Sequence, residues 1–145
     1  MAKALIVHNG LKGGTRKMGE IIAEGLRMAG VEADVRDAIE IRKPEDLLGY
    51  DAYVFGSATY HGDMMQQMKQ VLFMADQAAL DGKIGGAFGA FGWSGEAPDR
   101  IYGTMENIFK MEMVGEPLRL KSVALRGGLE AAQAYGRKLA KKMGV

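Results

Sequence analysis

Short apolar runs alternate along the chain with longer stretches whose apolar residues recur every three or four positions. These are the signatures of buried strands and amphipathic helices. The runs are Lys3–His8, Val31–Asp37, Ala52–Gly56, Lys83–Phe91 and Met113–Leu120. The second alternates apolar with polar residues, as a half-exposed strand does. The last contains Pro117, which suits an edge strand or a bulge. Between the runs, Met18, Ile21, Ile22, Leu26 and Ala29 mark a first helix ended by Gly30. Met68, Val71, Leu72, Ala75 and Ala79 mark a second, running from Met64 or Met65 to Leu80. Ile101, Met105, Ile108 and Phe109 give a third, and Leu129, Ala132, Leu139, Ala140 and Met143 a closing one. Strand and helix in turn predict an α/β fold, a five-stranded parallel sheet with helices on both faces. Ser122–Glu130 fits neither pattern firmly.

Three glycine-bearing loops follow three of the apolar runs: His8–Thr15 (HNGLKGGT), Ser57–Gly62 (SATYHG) and Ala90–Gly95 (AFGWSG). In an open parallel sheet such loops gather at the carboxyl edge, where small ligands bind. In the first loop Gly10, Gly13 and Gly14 let the backbone curl around an anion at a helix start. Asn9 and Thr15 add side-chain donors and Lys12 a charge. Alone, that loop reads equally as a flexible turn with a capping threonine. Tyr60 and Trp93, in the other two loops, offer two rings to sandwich something flat. A flat head with a phosphate tail describes flavin mononucleotide (FMN).

Composition narrows the alternatives. At 145 residues one domain spanning 1–145 is expected, with a core that needs no metal or disulfide. Cysteine is absent, which excludes disulfides, thiolate metal sites and cysteine nucleophiles. His8 and His61 are the only histidines, and no spacing around them suggests a metal centre. A net charge of +1 with mixed signs offers no basic face for nucleic acid. The basic stretch from Arg137 to Lys142 suits the solvated end of a last helix. No apolar segment approaches the ~20 residues of a membrane span, and a cytoplasmic protein is expected.

Single residues divide between functional and plain readings. His61 would tune a flavin if charged, but a solvent-facing loop position is the simpler expectation. His8 is expected to be packed and hydrogen-bonded. Met65 and Met68 are expected in the core, with Met64 on the rim. Glu96 and Asp99 are expected to serve a helix start. No nucleophile, base and orienting group occur together in a pattern that supports hydrolysis or group transfer.

The order of elements resembles the short-chain flavodoxins, a three-layer sandwich fold. GAFGAFGWSGEA (residues 86–97) is especially similar to the flavodoxin-like domain of flavodiiron proteins. The stretches at 53–60 (YVFGSATY), 15–18 (TRKM) and 115–121 (GEPLRLK) resemble, in turn, that family's second flavin loop, first helix start and last strand. The resemblance implies non-covalent FMN and electron transfer. Asn9, Gly10, Leu11, Lys12, Gly13, Gly14 and Thr15 would then hold the phosphate. Ser57, Ala58, Thr59, Tyr60, His61 and Gly62 would line the ring's reactive edge. Ala90, Phe91, Gly92, Trp93, Ser94 and Gly95 would cover its other side. It also implies a second-loop peptide that turns to bond the reduced flavin, with His61–Gly62 the candidate because Gly62 makes such a turn cheap. Gly10 stands where the family usually has a hydroxyl residue, and Lys12 replaces a typical aromatic or glycine.

The function the resemblance implies is electron carriage between redox protein partners, a reductase and an acceptor, with docking expected around Tyr60, Met64 and Trp93. The rivals are an FMN-dependent NAD(P)H:quinone or flavin reductase, and an interaction module that has lost the flavin.

Overall fold

Alternation along the strands divides the interior in two. In β1 (Lys3–Asn9), Leu5 and Val7 point to one face of the sheet, and Ala4 and Ile6 to the other. In β3 (Ala52–Ser57), Tyr53 and Phe55 share the first face, and Ala52 and Val54 the second. Two apolar clusters result, one on each side. The computed structural model describes residues 2–10, 13–90, 95–121, 123 and 127–145.

The sheet is completed by β2 (Glu32–Asp37), β6 (Ile84–Ala90), β7 (Glu112–Met113) and β8 (Leu118–Leu120). A separate hairpin, β4 (Thr59–Tyr60) with β5 (Asp63–Met64), follows β3. The order is β2-β1-β3-β6-β7, with β8 also on β6, and all of these pairings are parallel. Helices α1 (Gly14–Met28) and α4 (Gly128–Lys142) pack on the face of Ile6 and Val54. Helices α2 (Gln66–Ala78) and α3 (Glu96–Asn107) pack on the face of Leu5 and Phe55. The expected parallel sheet covered on both faces is therefore present, and no described helix is long and apolar enough to cross a membrane.

The fifth strand departs from expectation. Instead of one run over Met113–Leu120, two short strands share the edge position beside β6. They pair with Ile84–Gly85 and with Phe88–Ala90, leaving Gly86 and Ala87 between them. Pro117 lies in the interruption, where it has no ladder bond to lose. Tyr135 of α4 covers the gap. Its hydroxyl accepts from the Ala87 N–H at 3.0 Å and faces the Ala87 carbonyl at 3.4 Å. A side chain thus satisfies the backbone groups the broken strand leaves open. Burial pushes the Tyr135 phenol well above its ordinary pKa, so it stays a neutral donor.

The tight α1–α4 contact places α1. Gly25 and Gly136 face the partner helix's backbone, so that a Cβ on Gly25 would overlap the Gln133 carbonyl and one on Gly136 the Ile22 carbonyl. Gly136→Ala should therefore destabilise the fold by about 1–3 kcal/mol through overpacking, although alanine is the better helix former by roughly 1 kcal/mol. A urea midpoint equal to or above that of the unaltered protein would contradict this.

Candidate functional site

The parallel register places the ends of β1, β3 and β6 side by side. Asn9 pairs with Ser57 across β1 and β3, and Gly56 with Phe88 across β3 and β6. All three glycine-bearing loops therefore leave the sheet at one edge. The chain turns to β2 on one side of β1 and to β3 on the other, so the first two loops flank the topological switch point. In open α/β sheets ligands bind in that crevice. Of the sequence-predicted site residues, Leu11, Lys12, Phe91, Gly92, Trp93 and Ser94 lie outside the described residues.

The first loop ends on Gly13, which begins α1 in a left-handed conformation at φ +81°. Among the described residues no side chain caps the helix and no acid stands in its first turn. Its first N–H groups keep their donor capacity, and the positive end of the helix dipole is not neutralised. Thr15 is not the cap; it is buried in the first turn. Its Oγ1 would lie 2.9 Å from a Cβ placed on Gly10, so the Thr15 hydroxyl fills the space a side chain at position 10 would take. Asn9 is buried as well. Its carbonyl oxygen accepts from the Ala58 N–H at 2.9 Å, and its Oδ1 from the Met68 N–H at 3.0 Å. Its side-chain oxygen is thus committed to α2, leaving only the amide NH₂ free to face a ligand.

The second loop is held just as firmly. Ser57 Oγ accepts from the Met65 N–H at 3.0 Å and donates to the Ala58 carbonyl at 2.8 Å. The hairpin pairs Thr59 with Met64 and Tyr60 with Asp63, leaving His61 and Gly62 as its two turn residues. Both have positive φ, 51° and 74°, which identifies a type I′ turn. Gly62 takes the second position without cost. Reversing the central peptide would give a type II′ turn, whose first position belongs to glycine, and His61 stands there. Gly62 alone therefore does not make that reversal cheap. Tyr60 is half exposed, and its ring meets the His61 imidazole edge-on with centroids 4.3 Å apart.

Met64 belongs to the buried cluster under α2 rather than to the rim, because hairpin pairing turns it inward opposite Thr59. Met65 is half buried. In place of methionine, charged groups border the second loop. Asp63 lies 2.8 Å from Lys69 Nζ and 3.8 Å from Arg100 Nε, and the Lys69 hydrogen bond holds its pKa below the ordinary value. This clamp escaped the sequence reading because its members lie on three elements. Ala90 ends β6 and Gly95 caps α3. Thr59 Oγ1 accepts from the Ala97 N–H at 3.0 Å, joining the second loop to the start of α3. Asp99 serves that start and also pairs with Arg119 at 2.8 Å.

His8 is packed, as expected, but among the described residues its ring makes no hydrogen bond; Nδ1 lies 3.9 Å from Asp37. Burial lowers its pKa, outweighing the opposing pull of Asp37. Among the described residues no cluster of His, Asp or Glu suits a metal ion.

Comparison with known proteins agrees with this geometry. The sequence profile described as flavodoxin matches residues 10–136. A flavodoxin structure from the domain Archaea superposes with a TM-score of 0.92 at 28% identity, covering 99% of each chain. The flavodiiron protein of Giardia intestinalis gives 0.89 at 26% identity, covering 97% of this chain and 36% of that one. An NAD(P)H dehydrogenase (quinone) of Archaeoglobus fulgidus is 30% identical over 122 residues, 68% of this chain and 64% of that protein. The chain thus matches less than two thirds of that relative's length.

The buried His8 predicts a pH dependence of stability. Its folded-state pKa lies below the unfolded value of 6.5, so the unfolded chain binds the proton more readily. The stability its neutral form contributes is present above that value and is lost as pH falls below it. Between about pH 7 and pH 5 the urea midpoint should fall more steeply for the unaltered protein than for His8→Asn. Parallel curves would count against it.

Proposed function

The chain belongs to the flavodoxin family, and from that premise we propose that residues 1–145 form one cytoplasmic FMN domain that carries electrons between a reductase and an acceptor protein. FMN is the cofactor of this family. The observation that supports its placement here is the start of α1, a left-handed glycine with neither cap nor acid beside the switch point. Such a terminus suits a phosphate dianion, because fixed N–H donors and the helix dipole both favour negative charge.

In this reading Gly13, Gly14 and Thr15 hold the phosphate through backbone N–H groups, and Gly10 leaves room for the Thr15 hydroxyl. Leu11 and Lys12 complete that loop. Ser57, Ala58 and Thr59 set the height of the second loop, so that Tyr60, His61 and Gly62 lie along the ring's edge. Ala90 to Gly95, with Phe91, Gly92, Trp93 and Ser94 between them, cover the other side. Bound FMN supplies the redox chemistry, accepting and releasing electrons. The chain's own contribution is to bind it, orient it and limit water at its edge. Met64 being buried, the docking rim consists of Tyr60, His61 and the charged group Asp63, Lys69 and Arg100.

The name carried by the Archaeoglobus relative supports a second reading, direct oxidation of NAD(P)H with a quinone. The FMN-loaded protein should turn over NAD(P)H and quinone only when a separate reductase is added. Steady turnover by the protein alone would select the second reading. Gly13→Ala places a Cβ at a φ of +81°; the free variant relaxes out of the left-handed region and must return to it to bind, so FMN affinity should fall about tenfold. An unchanged affinity in a fluorescence titration would argue against phosphate binding there.

A further inference from the structure

The second loop meets the start of α3 at three points, and two of them are satisfied. Thr59 accepts from the Ala97 N–H, and Asp63 pairs with Arg100. The third is Glu96, the first residue of α3. Its Oε2 is buried, has no hydrogen-bond partner among the described residues, and lies 3.6 Å from where a Cβ on Gly62 would sit. The Thr59–Ala97 bond fixes the backbone next to it, which keeps the carboxyl beneath the His61–Gly62 turn.

Service to the helix start does not explain this burial. Asp99 occupies the same first turn with its side chain 52% exposed and bonded to Arg119. A carboxylate can favour the dipole from solvent at no desolvation cost. A buried acceptor with no donor penalises the ligand-free fold, and the natural source of a donor is the turn that covers it.

We propose that Glu96 is a positioning residue for the flavin site, whose Oε2 receives the Gly62 N–H when FMN seats against the second loop. This rests on the FMN reading above. It requires a closing shift of the Tyr60–Asp63 turn and no reversal of its central peptide. The carboxylate then trades stability of the empty protein for order in the loaded one. A hydrogen bond to a charged acceptor is the stronger kind, so glutamine retains part of the effect and alanine none.

The test uses the full chain, stripped of FMN and reloaded, as Glu96→Gln, Glu96→Ala and the unaltered protein. Glu96→Gln, which keeps the side chain's shape and weakens the buried oxygen's demand for a donor, should raise the melting temperature of the FMN-free protein. FMN affinity should fall in the order unaltered, Gln, Ala, with alanine about tenfold weaker. The Gly62 amide proton should move downfield when FMN is added to the unaltered protein and not to Glu96→Ala. Equal FMN affinities with the same Gly62 shift in all three proteins would overturn the role of Glu96 alone. Failure of the unaltered protein to bind FMN would overturn the flavin reading and this role together.

Discussion

Asn9 joins the parts of the molecule that must stay in register. It closes β1 opposite Ser57, its backbone carbonyl holds the second loop at Ala58, and its side-chain carbonyl holds the start of α2 at Met68. Without Asn9 the Ala58 N–H would lose its acceptor, whereas the Met68 N–H is shared with the Met65 carbonyl at 3.1 Å. Ser57 repeats the device one strand over, bonding Met65 and Ala58. The bases of the first and second loops, up to Ala58, therefore share one support, while the Tyr60–Asp63 turn lies beyond it. A ligand with its tail in one and its head against the other meets a site of fixed span.

The rest of the fold serves that rigidity. The glycine contact between α1 and α4 seats α1 against a partner helix, fixing where its uncapped start points. Tyr135 ties α4 to the backbone of β6 where the edge strand is broken. On the opposite face α2 and α3 close over Leu5 and Phe55, and the Asp63 clamp anchors the hairpin to both helices. Side-chain bonds therefore fix the bases of the described loops, and the protein's chemical contribution is preorganisation of a cofactor's surroundings.

Much of this was legible in the sequence because it depends on local pattern. Apolar runs and helical periodicity located the central strands and all four helices. The glycine loops fell where parallel strands must end. The broken fifth strand was not legible, since the gap is tolerated only because Tyr135, far along the chain, supplies its hydrogen bonds. Met64 was misread because hairpin pairing, rather than helical period, decides its direction. For Thr15 the sequence left a ligand donor and a helix cap equally open, and the structure, with Gly13 at the cap and the Thr15 hydroxyl beside Gly10, removes the second. Glu96 carried the signal of a helix start, and its burial beneath Gly62 is a tertiary fact.

The central claim is that the open start of α1 clasps a phosphate next to the β1–β3 switch point. Titrating the flavin-free protein with FMN and with riboflavin, which lacks the phosphate, tests it most directly. Two or more charge-assisted hydrogen bonds predict that FMN binds roughly a hundredfold more tightly, with the preference shrinking as salt rises. Equal affinity for the two flavins would contradict the account.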